Sequence, residues 1–124
     1  MSEPVRVALR ELLGEVIGIS GALVASIDGL LVAEATNGVE VDVVAALSAA
    51  TSSMGVQFAN VLGLGAASGT VIQAANGCAA VYPIGDTALL VLYCVDSTHV
   101  ARLHLAVRQA MPRISAAMCV SPGV

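Results

Sequence analysis

Two stretches of the chain have a hydrophobic pattern that predicts β-hairpins without a polar face. The central stretch, residues 77–94, contains two β-prone apolar runs joined by Gly85 and Asp86, a pair typical of a two-residue hairpin turn. This loop length predicts that Tyr82 lies opposite Leu89, and it places apolar side chains on both faces of both strands. A hairpin with no wet face has to be covered on both sides, so we expect helices above and below the sheet.

The same patterning predicts the remaining elements, in the order α-β-β-α-β-β-β-α. Apolar residues at three- and four-residue spacing indicate helices, and Asp28 and Gly29 indicate the turn of a second hairpin. The predicted elements outside the central hairpin are a helix over residues 4–17, a hairpin over 21–36, a helix over 41–62, a strand over 67–75 and a last helix capped within 96–98. Pro112 is expected to kink or interrupt the last helix. These elements predict an α+β fold, a three-layer sandwich around an antiparallel sheet, as one domain over residues 1–124.

A long uncharged stretch predicts a protein interface. No Asp, Glu, Lys or Arg occurs from Val43 to Gly85, which includes the third strand and all but the first two residues of the second predicted helix. A helix that faces water normally carries charge on its outer side, whereas interface cores are depleted of charge. We expect an apolar stripe of this helix to face the sheet: Val43, Leu47, Ala50, Met54, Phe58 and Val61. The predicted interface is then the other side of the helix and part of the strand: Ala45, Ser48, Ala49, Ser52, Val56, Asn60, Thr70 and Ile72.

Composition agrees with a hidden surface. Apolar residues make up 57% of the chain and charged residues 11%, against about 45–50% and about 25% in ordinary globular proteins. A twofold homodimer is the simplest way to cover the excess apolar surface. The alternative is that an alanine-rich helix is merely weakly polar and faces water.

Charge and hydropathy also limit the partners. The net charge is -4 and the chain has no lysine, which argues against nucleic acid because phosphate neutralisation needs clustered cations. No window offers about 18 uninterrupted apolar residues, so we expect no transmembrane segment. The N-terminal residues 1–4 lack a cationic start and an apolar core, so a secretory signal is not expected and a cytoplasmic location is.

The residues that could carry chemistry do not form a recognisable constellation. His99 and His104 are five residues apart and diverge around a helix, so they are expected to be surface or capping residues rather than metal ligands. The glycine-rich residues 63–69 lead from a helix into a strand, the reverse of a dinucleotide-binding turn. Cys78 has no base among its strand neighbours and is expected in the core. We therefore expect no enzyme activity, no cofactor and no metal.

Three cysteines, an odd number and widely spaced, fit reduced thiols better than a disulfide framework. In the register predicted above, Cys78 and Cys94 point to opposite faces of the sheet. This arrangement disfavours a bond between them.

The sequence resembles the Roadblock family, which includes dynein light chains and bacterial GTPase regulators and is related to longin and profilin-like folds. The resemblance is carried by residues 16–18, 21–24, 26–30, 82–86 and 88–92, together with the long small-residue second helix. It implies a five-stranded antiparallel sheet, with the first and third helices on one face and the second on the other. It also implies dimerisation through the second helix and third strand into one continuous sheet.

For function, the resemblance implies a homodimeric adaptor or regulator of a small Ras-like GTPase. The second helix is the first candidate for the GTPase contact, and Arg102, Arg108 and Arg113 on the last helix are the electrostatic alternative. A structural scaffold subunit, binding its partner regardless of nucleotide, is the second hypothesis. A small-molecule sensor is the third, although no polar groups are expected to converge on a pocket in an alanine-rich core.

Overall fold

The computed structural model describes residues 2–95 and 100–119 of the chain. Three helices and five strands follow one another in the predicted order. Their bounds are α1 (Glu3–Glu15), β1 (Gly21–Ser26), β2 (Leu31–Ala35), α2 (Val41–Val61), β3 (Thr70–Ala74), β4 (Gly77–Ile84), β5 (Ala88–Cys94) and α3 (Val100–Cys119). The predicted capping residues 96–98, and His99, lie outside the described residues.

The strands form one antiparallel sheet in the order β2-β1-β5-β4-β3. Helices α1 and α3 pack on one face of this sheet and α2 on the other, which confirms the predicted three layers. The larger core lies under α1 and α3 and includes Leu9, Leu12, Val24, Leu90, Leu92, Leu103 and Ile114. The smaller core lies under α2 and contains Leu23, Ala25, Ala45, Val81, Leu89 and Val91.

The register of the central hairpin differs by one residue from the prediction. Tyr82 pairs with Leu90, and Ile84 pairs with Ala88, so residues 85–87 form a three-residue loop. A two-residue turn of the predicted kind needs a positive φ at both central positions. Only Gly85 supplies one, with φ +57°, and Asp86 does not, so the loop takes up a third residue. Because side chains alternate along a strand, this shift exchanges the two faces of β5 relative to β4.

The first hairpin follows its predicted register until a bulge. Val24 pairs with Ala33, as a two-residue turn at Asp28 and Gly29 predicts, and the register then shifts between Val24 and Ala25. Gly29 closes the turn with φ +88°, and a Cβ at this position would lie 3.1 Å from the Ala46 Cα of α2. The glycine therefore serves both the turn and the close approach of the helix.

Two helix boundaries differ from the predictions. Helix α1 ends at Glu15, two residues early, and Ile17 beyond it is 88% exposed. Helix α3 continues through Pro112, so the predicted interruption is wrong. Proline removes one helical hydrogen bond, and here the carbonyl that loses its partner belongs to Arg108, which lies on the same exposed side of the helix and can be hydrated.

Gly77 provides a test of how closely β4 and β5 approach each other. A Cβ built on Gly77 overlaps the carbonyl oxygen of Cys94, which is backbone and cannot swing away. We expect Gly77→Ala to lower the free energy of unfolding by about 1–3 kcal/mol through this overlap. Chemical denaturation measures the change. Gly14→Ala is the control, because Gly14 is helical with open space around it and alanine there should be neutral or add about 0.5–1 kcal/mol. Equal effects of the two substitutions would contradict the close approach.

Candidate protein interface on helix α2 and strand β3

Helix α2 lies on the sheet with the face opposite to the one predicted. Its buried residues are Ala45, Ser48 and Ala59, and the Ser48 hydroxyl donates a hydrogen bond of 2.8 Å to the Ala45 carbonyl. Ala45 and Ser48 were predicted to lie on the outer surface, so that orientation is wrong for both. The physical reason is size: small side chains let the helix backbone approach the sheet closely, whereas the larger apolar side chains would hold it away.

The other predicted interface residues are divided between the sheet-facing side and the surface. Ala49, Ser52 and Thr70 are half-buried between the helix and the sheet, whereas Val56, Asn60 and Ile72 are exposed. Helix and strand meet where a Cβ on Gly55 would overlap the Thr70 hydroxyl. A glycine in a helix interior costs about 1 kcal/mol relative to alanine. Here it makes room for a side chain of β3.

The stripe that was expected to face the sheet is exposed instead. Its bulky residues, together with Val56 from the predicted outer side, form what we call the α2 apolar surface: Val43, Leu47, Met54, Val56, Phe58 and Val61. Phe58, the single phenylalanine of the chain, is 64% exposed. Contiguous exposed apolar patches of this kind mark sites of interaction. Sequence patterning found these residues but assigned all of them except Val56 to the side that faces the sheet, and the signal that could have corrected it was side-chain size.

The apolar surface continues past the end of the helix. Gly63, with φ +68°, terminates α2, and the amide of Leu64 donates to the carbonyl of Ala59 in the pattern of a Schellman motif. Leu62 and Leu64 are both exposed on this termination. The whole segment lies within the uncharged stretch of the sequence.

Helix α2 is also long and apolar enough, by length and composition, to cross a membrane. This differs from the expectation that no segment would qualify. Little of the helix is buried within the single chain, and one helix that passes this test is weak evidence of a membrane span. Since α2 packs lengthwise on the sheet through its small residues, we interpret its apolarity as protein contact surface.

Hydrogen-bond direction in the sheet determines which groups of β3 are free. The amide of Ile27 donates to the carbonyl of Thr87, so odd-numbered residues of β5 point their backbone groups toward β1 and even-numbered ones toward β4. The unbroken registers carry this alternation across β4 to β3. Ile72 therefore bonds to β4, while the backbone groups of Val71 and Gln73 point away from the sheet. No hydrogen bond within residues 2–95 and 100–119 reaches them.

The opposite edge of the sheet, β2, is protected. The amide of Ser2 donates to the outward carbonyl of Val32 at 3.0 Å. The Glu34 carboxylate accepts from the outward amide of Thr36 at 3.0 Å and also from its hydroxyl. Covering and charge are common ways to prevent an edge strand from pairing with another chain. The β3 edge has neither in the described part of the chain.

A groove of about 250 Å³ lies between α2 and the uncovered end of the sheet. Its lining is Val39, Val44, Leu47, Ser48, Thr51, Ile72, Ala79, Val81, Val91 and Tyr93. The Ser48 hydroxyl is already bonded within α2, and the Tyr93 hydroxyl lies against Gly21, where a Cβ would overlap it. Polar groups do not converge here as they do in sites for small polar ligands. Leu47 and Ile72 join this groove to the exposed surfaces of α2 and β3.

Helices α1 and α3 carry all five arginines of the chain. Arg113 donates to both oxygens of Glu15 at 2.7 Å and to Glu11 at 3.2 Å. These hydrogen bonds hold the pKa of the Glu15 carboxyl below its usual value and raise that of Arg113. Arg102 and Arg108, the other two arginines of the alternative GTPase surface, are exposed on α3.

Tyr82 joins the sheet to α3. Its hydroxyl shares a hydrogen bond of 2.8 Å with Nδ1 of His104, and the two rings meet edge to face. Burial, and then the neighbouring thiols of Cys78 and Cys94, raise the pKa of Tyr82 to about 12. His104 is exposed, as expected, but bonds a side chain rather than capping a helix. Among the described residues, no three His, Cys, Asp or Glu side chains are arranged to hold a metal ion.

Comparison with known proteins assigns this architecture. The family model of the Roadblock/LC7 domain matches residues 7–93. A Roadblock/LC7 domain from Streptomyces avermitilis superposes with a TM-score of 0.83 at 18% identity, over 93% of this chain and 98% of that one. MglB of Myxococcus xanthus superposes with a TM-score of 0.82 at 14% identity, over 94% of this chain and 95% of that one. An MglB with a tetrameric arrangement superposes with a TM-score of 0.81 at 23% identity, over 94% of this chain and 91% of that one. No curated protein sequence matches the chain.

The raised pKa of Tyr82 predicts a loss of stability in alkali. The unfolded phenol titrates near its usual pKa of about 10, so between pH 10 and about 12 the folded state holds a proton that the unfolded state has lost. The free energy of unfolding therefore falls as pH rises through this window. We expect the free energy of unfolding of the wild type to be about 0.5–1.5 kcal/mol higher than that of Tyr82→Phe at pH 7. This difference should shrink as the pH rises above 10. Urea unfolding at several pH values tests it, and a constant difference would contradict it.

Proposed function

The chain belongs to the Roadblock/LC7 family, and on that basis we propose that it is a homodimeric, non-catalytic adaptor that regulates a small Ras-like GTPase in the bacterial cytoplasm. Members of the family are regulatory and adaptor proteins rather than known enzymes. The observation that carries the proposal is the uncharged surface formed by α2 and β3, which combines exposed apolar side chains with a free strand edge.

A second copy of the chain fits this surface because the surface is self-complementary. Two β3 edges related by a twofold axis can pair in antiparallel fashion, using the outward backbone groups of Val71 and Gln73. The two sheets then join into one, and each α2 apolar surface meets its copy beside the new strand pair. This arrangement buries uncharged residues against uncharged residues, so no charge loses its hydration. The tetrameric arrangement of one MglB neighbour is in keeping with self-association.

The GTPase partner follows from the family resemblance, and the structure suggests two surfaces for it. The first is the part of the paired α2 helices that remains outside the dimer contact, with the exposed leucines that follow the helix. The second is α3, where Arg102 and Arg108 are exposed. A regulator changes the nucleotide state of its partner only through a difference in affinity for the two switch conformations.

The dimer is tested by placing charge in the α2 apolar surface. Met54→Glu with Phe58→Glu should give a folded monomer, because exposed side chains tolerate glutamate but a dry interface does not. We expect the dimer dissociation constant to rise by at least about tenfold per substitution, or about 1.4 kcal/mol. Sedimentation measures the mass and circular dichroism the fold. Leu105→Glu is the matched control, because Leu105 is similarly exposed, at 57%, but lies on α3.

A second pair of variants isolates the strand contact. Gln73→Pro removes an amide that points away from the sheet, so the bonds between β3 and β4 remain while pairing with another chain is blocked. Gln73→Ala keeps the amide and should remain dimeric. A dimer that survives both Gln73→Pro and the glutamate substitutions would overturn the proposed interface.

The regulatory role is tested by nucleotide-dependent binding. Immobilised protein is incubated with native lysate in GDP or in a non-hydrolysable GTP analogue, and retained proteins are identified by mass spectrometry. We expect a Ras-like GTPase to be enriched by at least about tenfold in one nucleotide state, a difference of about 1.4 kcal/mol. Equal retention in both states would favour the scaffold alternative.

Variants assign the surface that binds the GTPase. Arg102→Ala with Arg108→Ala leaves the proposed dimer contact intact, so loss of capture by this variant places the GTPase on α3. Capture that persists in this variant, but is lost after the α2 substitutions, places it on the dimer surface.

A further inference from the structure

The observed register brings two cysteines together that the predicted register separated. Cys78 pairs directly with Cys94 across β4 and β5, and both side chains point to the α1 and α3 face with Tyr82. Both residues lie at a position where opposite residues exchange backbone hydrogen bonds, and the Cα atoms of such pairs are generally about 5.5 Å apart. This spacing lies within the range of about 4.4–6.8 Å that disulfides require.

The two thiols are cross-strand neighbours in the reduced protein. All three cysteines of the chain are free, and Cys78 lies directly opposite Cys94 on the same face of the sheet. No side chain separates the two strands at this end, since the preceding Gly77 lies directly against the Cys94 carbonyl. Cys94 is 3% exposed, whereas Cys78 is half-buried and can be reached from solvent.

We propose that Cys78 and Cys94 form a redox site, which hydrogen peroxide oxidises to an intrachain disulfide across the open end of the β4–β5 hairpin. The Cys78 thiolate attacks one peroxide oxygen, the O–O bond breaks, and the departing hydroxide takes up a proton to leave as water. The resulting sulfenic acid is attacked by the Cys94 sulfur, which loses its proton as the S–O bond breaks and a second water leaves. Overall, two thiols lose two electrons and two protons, and one peroxide becomes two waters.

The surroundings make this a slow site in neutral solution. Burial and the adjacent Cys94 raise the pKa of the Cys78 thiol, so the reactive thiolate is scarce at neutral pH. The titratable groups facing the pair are Tyr82 on β4 and, through its hydrogen bond to that tyrosine, His104 on α3. The rate of oxidation should therefore rise with pH through the alkaline range.

Oxidation would connect the dimer edge to the centre of the sheet. Cys78 pairs with Gln73 on its other side, so the same short segment of β4 contacts both the edge strand β3 and the central strand β5. A disulfide at this point ties β4, and with it β3, to the most buried strand of the fold. Such a bond stabilises chiefly by restricting the unfolded chain, so the oxidised protein should have the higher Tm.

The test uses full-length protein in which Cys119→Ser removes the exposed third thiol. The protein is treated with hydrogen peroxide, the remaining thiols are alkylated, and intact mass and peptide mapping are measured. We expect Cys78 and Cys94 to disappear together as one intrachain crosslink, with the mass of two hydrogen atoms lost, and dithiothreitol to restore both thiols. Thiols that stay free, or that gain oxygen separately, would overturn the proposal, as would a crosslink between chains.

Variants with a single cysteine are the controls for the mass change. Cys78→Ala and Cys94→Ala in the same background each leave one thiol, so neither can lose thiols without gaining oxygen or crosslinking to another chain. If either reproduces the mass change seen with both cysteines present, the assignment of the pair is wrong. Thermal unfolding of the oxidised and reduced forms gives the second readout: a Tm that rises on oxidation and returns with dithiothreitol supports the bond, and an unchanged Tm contradicts it.

Discussion

The structure depends on a central strand that is buried on both faces. β5 carries apolar side chains toward both layers, so the hydrophobic effect requires cover above and below the sheet. Within residues 2–95 and 100–119, two helices cover one face, but α2 alone covers the other. One helix cannot span five strands, and the row formed by Tyr93, Ala79 and Ile72 remains open beside it. The incomplete layer is therefore where the molecule has apolar surface left to bury.

Close packing beneath α2 explains why its outer side is apolar. Small residues such as Ala45 and Ser48 bring the helix down onto the sheet, and Gly55 admits the Thr70 side chain. The bulky residues are consequently left outside. Each exposed apolar Å² costs about 25 cal/mol relative to burial, and the uncharged stretch allows this surface to be covered without removing water from a charge. The free edge of β3 lies beside it, while the edge of β2 is protected by its own chain.

One extra loop residue has consequences far from the loop. Because side chains alternate strictly along a strand, the three-residue connection after Ile84 assigns every residue of β5 to the face opposite to the one that a two-residue turn would give. Leu90 and Leu92 thereby enter the core under α1 and α3. The same shift brings Cys94 against Cys78. A difference in loop conformation thus decides both the composition of a core and the meeting of two thiols.

Local periodicity, turn residues and composition were enough to predict the number, type and order of the elements, the two-sided burial of the hairpins and the uncharged stretch from Val43 to Gly85. The family resemblance drawn from the same residues was confirmed by the match over residues 7–93. The folded chain was needed to show which side of α2 faces the sheet, since hydrophobic periodicity does not separate two sides that differ chiefly in side-chain size. It was also needed for the register of β4 against β5 and for the difference between the two sheet edges. The register and the two edges arise from contacts between residues distant along the chain, for which local patterning carries no signal.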